Sequence, residues 1–461
     1  MKPLLSLALP PTQRMGLRLI ARQWTPLALN WLLMAIEGPI LVSLISRLPE
    51  PTENLAGFSV AFSIALLVES PIMMFLSAGA ALGHNRPSYE RLWWFASAFN
   101  LPLSALMGVL GIPEVFFRLN AHIWHLAPAL AQRVAGAIWL LIPWPAAIGY
   151  RRLWQGVLIA QGQARRVAWG TLARLAGMLS GAWLAEALFL WPGMWVGAFA
   201  LSAGVVTEMI AIRLYAHTVL RRLPLSNEPP LSYRRLGTFY LPLLWTSLLN
   251  VALTPLLTGF MAQGLEALPS LAAYSPVMST AFLFTCGGVA YQEVVIVLAG
   301  TRLRPLLLPF AHRIILFTSL ALLLWALSPL MKWWLSTVFA LPPTLHPLSR
   351  KGLLLMLPMP ALVTYLAYLK GLFIHAARTR LNLLSAVVEI SGLILLAPLL
   401  LAILPWASLY TGILALLLAR LATLLFLVFW TSREVQAKYR GSSASGQSLM
   451  PDEVISVCRS S

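Results

Sequence analysis

Seven ionisable residues lie inside long apolar stretches of this chain: Glu37, Glu69, Arg174, Glu208, Glu293, Glu389 and Arg420. A charge in hydrocarbon is costly and is usually paired or turned toward a water-filled path, so these are the candidates for a substrate or ion pathway. Glu37 stands beside Gly38-Pro39, and Glu69 opens the run Glu69-Ser70-Pro71. Proline inside a helix removes a donor and leaves carbonyls without an intrahelical partner. Such carbonyls beside a carboxylate suit a proton, a cation or a cationic group. The competing reading of Glu37 is a carboxylate buried against a neighbouring arginine. Glu293, after Tyr291-Gln292, is either a third cavity carboxylate or a solvated helix end.

Arg174 and Glu389 stand 215 residues apart, at matched positions of a repeat described below. Near a pseudo-twofold axis the two could face each other across a cleft and form a gate-like ion pair. Against this stands pairing of each charge within its own half. Glu208 and Arg420 nearly repeat the arrangement, about one turn out of register, and for them the structural reading is preferred. Ser59 and Ser63, like Ser275 and Ser279, are one helical turn apart on one face. Small polar residues at that spacing let helices approach closely, and lining a cavity is the second reading.

Enzyme signatures are missing. No GxxxxGK[ST], HExxH, CxxC or GxSxG is present, and Asp452 is the sole aspartate. The histidines form no metal-ligand cluster with carboxylates or cysteines, and Cys286 and Cys458 build no disulfide framework. We therefore expect no catalytic residues, no metal, no cofactor and no ATP hydrolysis; transport should be passive or coupled to protons or Na+.

The elements that must hold these residues follow from composition. Hydrophobic residues make up 59% and charged residues 10%, with a mean hydropathy of +0.79. A soluble domain carries about 25% charged residues, so the partners are membrane lipids. The net charge of +18 is not gathered into one patch, which argues against nucleic acid. About 20 apolar residues cross a bilayer. Windows of that size fall at roughly 24–46, 56–82, 93–113, 134–158, 167–190 and 192–215, then at 239–263, 271–299, 313–335, 352–374, 382–404 and 406–432. Twelve transmembrane helices of an all-α polytopic protein are predicted.

Basic residues concentrate in alternate connections: the start of the chain, His84–Arg91, Arg151–Arg166, Arg213–Arg235, Arg302–Arg313, Lys370–Arg380 and Arg433–Arg440. Lysine and arginine bias in short loops sets orientation. It predicts that both termini are cytoplasmic, and the expected location is a prokaryotic-type inner membrane. The runs at Arg151-Arg152 and at Lys370 read as topology signals that contact anionic lipid. The expected organisation is a basic arm over 1–23, a six-helix lobe over 24–215 and a cytoplasmic linker over 216–238. A second six-helix lobe over 239–432 and a disordered tail over 433–461 complete it.

The two lobes are copies. At a shift of 216, Pro26, Pro39, Ser59 and Ser63 fall on Pro242, Pro255, Ser275 and Ser279. At a shift of 215, Pro143, Pro145, Gly156 and Gly197 fall on Pro358, Pro360, Gly371 and Gly412. Matched prolines in apolar helices point to parallel repeats, related by an axis along the membrane normal, of an alternating-access transporter.

Twelve helices in two parallel repeats with a proline-bent first helix resemble the multidrug/oligosaccharidyl-lipid/polysaccharide (MOP) exporter superfamily, with its multidrug and toxin extrusion (MATE) antiporters. Residues 55–63, Leu-Ala-Gly-Phe-Ser-Val-Ala-Phe-Ser, continuing to Glu69-Ser70-Pro71, look most like the second helix of the progressive ankylosis (ANK) family. Pro26-Leu27 through Glu37-Gly38 is similar to that family's first helix, with its acidic residue and glycine near the middle. The resemblance implies an exporter of small organic anions or nucleotides, as the animal members are associated with release of ATP, citrate and pyrophosphate. In those proteins the fifth helix is acidic and the eleventh basic, whereas Arg174 and Glu389 reverse the order. The reading is export or flipping of a small organic anion or amphiphilic substrate. Its alternatives are a flippase for a lipid-linked saccharide, with a basic cavity and lateral portal, and a cation-coupled multidrug antiporter, with a cavity dominated by Glu37, Glu69 and Glu293. A non-transporting membrane scaffold is disfavoured by the intramembrane charge.

Overall fold

The computed structural model describes residues 11–83, 85–161, 163–225, 232–376 and 378–444. The first half comprises α1 (Pro11–Ala35), α2 (Glu37–Ser46), α3 (Pro51–Glu69), α4 (Phe75–Leu82), α5 (Arg86–Leu110), α6 (Pro113–His122), α7 (Pro128–Leu140), α8 (Pro143–Ala160), α9 (Ala164–Phe189) and α10 (Gly193–Arg221). The second comprises α11 (Tyr233–Ala262), α12 (Ala267–Leu298), α13 (Arg304–Leu327), α14 (Pro329–Trp333), α15 (His346–Leu355), α16 (Met359–His375), α17 (Thr379–Ile403) and α18 (Ser408–Ala444). No strand occurs among the described residues.

Ten helical stretches are long and apolar enough to span a membrane, and α15 with α16, bent by 41°, makes an eleventh. The remaining window, 134–158, is filled by α7 and α8, which break at Leu141-Ile142 just before Pro143. Arg151, Arg152 and Gln155 lower its apolar character. Large apolar side chains such as Trp183, Phe317 and Leu395 are exposed on the outer faces, a surface suited to hydrocarbon. The chain is an integral, multi-pass membrane protein.

Proline sets the breaks. Helix α1 stops at Ala35, whose carbonyl is the one that Pro39 can neither bond nor clear, and α2 resumes at Glu37. Pro71 likewise ends α3 at Glu69, and a 3-10 turn over Ser70–Ile72 leads on toward α4. The breaks before Pro143 and around Pro358 fall at matched positions of the repeat.

Three boundaries differ from the sequence reading. Much of the expected basic arm is helix: α1 begins at Pro11, and Leu17 and Ile20 are buried against Tyr291, Val294 and Phe310. Their spacing of three, with Trp24 four further on, makes an apolar stripe that outweighs the arginines between them. Over the first part of the expected disordered tail, 433–444, α18 continues as helix through a stretch that includes the good helix formers Glu434, Gln436, Ala437 and Lys438; residues 445–461 lie outside the described part. Of the linker, α10 takes residues up to Arg221 and α11 starts at Tyr233, while 226–231 lie outside the described part.

The first helix of each half crosses to the other. Trp24 Nε1 donates to the Gly287 carbonyl at 2.9 Å and meets Phe310 edge-on at 5.8 Å. Tyr240, at the position matched to Trp24, donates its hydroxyl to the carbonyl of Pro71, which is matched to Gly287, and stacks on Phe75 at 4.8 Å. One hydrogen bond thus occurs twice, as the repeat requires. Matched glycines also close each half: a Cβ on Gly156 would lie 2.2 Å from the Leu76 carbonyl, and one on Gly371 3.1 Å from that of Gln292.

The halves are sealed at the end opposite the chain's start. There Arg47 Nη2 donates to the Thr337 and Val338 carbonyls at 2.7 and 3.2 Å, and Ser46 Oγ to the Phe339 carbonyl. Gln263 Nε2 donates to the Ile123 carbonyl at 3.1 Å. Toward the start of the chain, the cross-half hydrogen bonds and ion pairs among the described residues are made through α1 and α11.

Candidate substrate pathway: two buried charge clusters

The breaks and the repeat converge on a charge cluster in each half. In the first, α2 presents Glu37 to α9, whose Arg174 donates to Glu37 Oε1 from Nε at 3.0 Å and from Nη2 at 2.6 Å. The same guanidinium lies over the Trp144 ring at 5.6 Å, and its Nη1 is 3.7 Å from Glu208 Oε2. Glu208, on α10 and only 1% exposed, accepts from Arg151 Nη1 and from Gln155 Nε2, the latter at 3.1 Å. Arg151 and Gln155 stand one turn apart on α8, which puts both donors on one face.

Glu69 differs from the other two carboxylates. It ends α3 at the Pro71 break, is buried, and accepts from Trp144 Nε1 at 2.6 Å. No basic group lies within 4.0 Å of it among the described residues. Its cationic counterpart is Arg152, whose Nε is buried without a hydrogen-bond partner and whose Nη2 reaches only the Met73 sulfur, at 3.6 Å. The first cluster therefore balances three carboxylates (Glu37, Glu69, Glu208) against three guanidiniums (Arg151, Arg152, Arg174).

The second half uses the same positions differently. Glu389, on α17, accepts from Arg420 Nε at 3.1 Å, and Lys370 Nζ is 3.9 Å from its other oxygen. Arg420 Nη1 points at the Met359 sulfur. At a shift of 215, Met359 is matched to Trp144, Lys370 to Gln155 and Glu389 to Arg174. This cluster sets two cations against one carboxylate, all three largely buried: their side chains are 18%, 24% and 5% exposed. Glu389 is the one carboxylate in salt-bridge reach of Lys370 and Arg420 among the described residues. A pair of cations in a low-dielectric setting with a single counter-charge attracts a further anion far more strongly than it would in water.

The expected cross-cleft pair of Arg174 and Glu389 is not formed in this structure. Arg174 belongs to Glu37 and Glu208, and Glu389 to Arg420 and Lys370, each within its own half. Adjacent helices of one half offer a partner at about 3 Å, so neither charge is left desolvated to wait for a partner across a cleft. Glu208 and Arg420 likewise pair within those clusters, Glu208 with Arg151 and Arg420 with Glu389. Glu293 is exposed and accepts from Trp31 Nε1 at 3.5 Å.

The serines lie where the halves meet. Ser59 Oγ and Ser275 Oγ share a hydrogen bond of 2.7 Å, and Ser59 also donates to the Leu271 carbonyl at 3.0 Å. Thr258 donates to Ser63 at 3.3 Å, and Ser279 packs so closely on Gly38 that a Cβ there would lie 2.8 Å away.

Sequence reasoning missed Arg151, Arg152, Gln155 and Lys370. The sequence reading places Arg151, Arg152 and Lys370 in basic connections, yet α8 runs on to Ala160 and α16 to His375, so all three lie within helices. The signal was available: they fall inside the apolar windows 134–158 and 352–374, and Gln155 and Lys370 are a matched pair of the repeat.

No protein-family model matches the chain, and no curated protein matches its sequence. Solved structures do. The chain superposes on the inward-facing conformation of a multidrug resistance MATE family transporter of the MOP superfamily with a TM-score of 0.65 and 12% identity, over 92% of this chain and 99% of that one. Against an outward-facing conformation of a MATE family transporter of the MOP superfamily the TM-score is 0.60 at 13% identity, over 92% and 96% of the two chains. A MOP superfamily transporter from Pyrococcus furiosus, described as having a binding pocket of reverse polarity that suggests a different function, also superposes with a TM-score of 0.60, at 12% identity over 92% and 96%. The fold is the two-repeat, all-helical MATE fold.

Proposed function

We propose that the chain is an alternating-access transporter that exports a small organic anion, or an amphiphile with an anionic head, by way of the Lys370–Glu389–Arg420 cluster. The observation that carries this reading is the excess of cations in that cluster, set beside the balanced cluster at the matched positions of the other half. An arriving anion would complete the coordination of Lys370 and Arg420 and compete with Glu389 for them. The likeness of residues 55–63 to the ANK family favours the same substrate class.

In this reading residues 24–215 and 239–432 move as two lobes, with 216–238 as the strap between them, and both termini face the cytoplasm of a prokaryotic-type inner membrane. The sealed outer end, with Arg47 held by the 337–338 carbonyls, then corresponds to the state open to the cytoplasm. A cation-coupled drug antiporter built on free carboxylates fits less well, since Glu37 and Glu208 are each held by an arginine. Glu69, without such a partner, is the residue we assign to proton coupling.

The test is a metabolite comparison of the media of cells with and without the protein. Accumulation of acidic metabolites that disappears in Lys370→Met/Arg420→Met supports the assignment. Export of cationic compounds that survives the same double substitution contradicts it.

A further inference from the structure

Away from both clusters, on the outer face of the first half, α5, α8 and α10 border an open slot of about 660 Å³. Its walls are aromatic. Trp93 stacks on Tyr150 at 6.0 Å, Tyr150 on Trp154 at 5.8 Å, and the Arg213 guanidinium lies over Trp154 at 5.2 Å. The polar atoms of two of these rings are used within the protein: Trp154 Nε1 donates to the Tyr89 hydroxyl at 3.0 Å, and the Tyr150 hydroxyl donates to Ser97 at 2.9 Å. The rest of the lining is largely apolar, including Ala147, Val206 and Met209, and the charged groups on it are Arg213 and Glu90.

The position is specific in depth. Arg213 precedes the end of α10 at Arg221 by eight residues, about 12 Å of helix. Tyr89 lies in the first turn of α5. The slot therefore sits at the arginine-bearing boundary of the membrane, where tyrosine and tryptophan favour the headgroup region. Glu90, the acidic residue on the rim, is held by Arg86 at 3.1 Å, whereas Arg213 has no carboxylate within 4.0 Å among the described residues.

The fold itself does not call for these residues. At a shift of 215 the second half keeps Tyr365 for Tyr150 but places Leu369 at the position of Trp154 and Val428 at that of Arg213. The same helices pair without the indole and without the charge, so both are additions to one half.

We propose that the slot is a phospholipid site, with an acyl chain lying along Trp93 and Tyr150 and the phosphate held by Arg213. A volume of this size with aromatic walls and one convergent charge has the character of a ligand site, and basic pockets between helices at this depth suit phosphate headgroups. The site is separate from the proposed transport pathway and does not depend on it.

Native mass spectrometry of the purified full chain titrated with phosphatidylglycerol tests this. Wild type should retain one lipid more tightly than the rest. Arg213→Val, which installs the residue that the other half carries on α18, should weaken that retention at least tenfold. Trp93→Leu should weaken it as well without touching the charge. Millimolar inorganic phosphate should fail to displace the lipid. Equal retention by wild type and Arg213→Val would overturn the proposal, and so would displacement by phosphate alone, which would mean that the aromatic slot holds no chain.

Discussion

Ser59 and Ser275 share a hydrogen bond of 2.7 Å although 216 residues separate them. They occupy the same position in the two repeats, so a contact between them places the pseudo-twofold axis between their side chains. Matched residues can touch only there. The paired hydrogen bonds of Trp24 with Gly287 and Tyr240 with Pro71 are arranged about the same axis.

The first prediction follows from that contact. A Ser59→Cys/Ser275→Cys variant should form a disulfide, since the replaced oxygens already sit within bonding range of each other. The oxidised protein should be locked and inactive in proteoliposomes, and a reductant should restore transport. Full activity in the verified disulfide form would show that the halves do not separate at the axis.

The Glu37–Arg174 pair supports a second prediction. Arg174→Ala leaves Glu37 buried without its partner, at a cost of about 3 kcal/mol, visible as a lower unfolding temperature in detergent. The swap Glu37→Arg/Arg174→Glu should recover part of that loss. The swap Arg174→Glu/Glu389→Arg should recover none, because those residues answer to different partners. Double-mutant analysis of the two swaps separates the cases.

Glu69 yields a third. Its one hydrogen bond comes from a neutral indole, so Glu69→Gln should keep the Trp144 contact and the fold. Transport by Glu69→Gln should lose its response to an imposed pH gradient, while Glu293→Gln, at an exposed position, should keep it. A wild-type pH response in Glu69→Gln would leave uncoupled facilitation as the better account.

Much of this architecture was legible before any coordinates. Apolar windows, matched prolines and alternating basic ends give the helices, their breaks and their duplication, because each reflects a local rule about hydrocarbon and backbone donors. Pairing among the buried charges was not legible. Arg174 has Glu37, Glu208 and Glu389 as candidate partners in sequence, and only the packing of α9 against α2 and α10 selects the first two. Reading Arg151 and Lys370 as loop charges failed for a related reason. A basic residue near a helix end obeys the topology rule whether its side chain reaches water or turns inward, and the acidic residue on a neighbouring helix decides which.

The central claim is that Lys370 and Arg420 receive an anion. Solid-supported membrane electrophysiology on proteoliposomes, challenged in turn with a panel of organic anions and a panel of organic cations, tests it most directly. We predict saturable charge movement with a subset of the anions, lost in Lys370→Met/Arg420→Met and retained in Arg213→Val. Currents evoked only by cations, or anion currents that persist in the double variant, would contradict it.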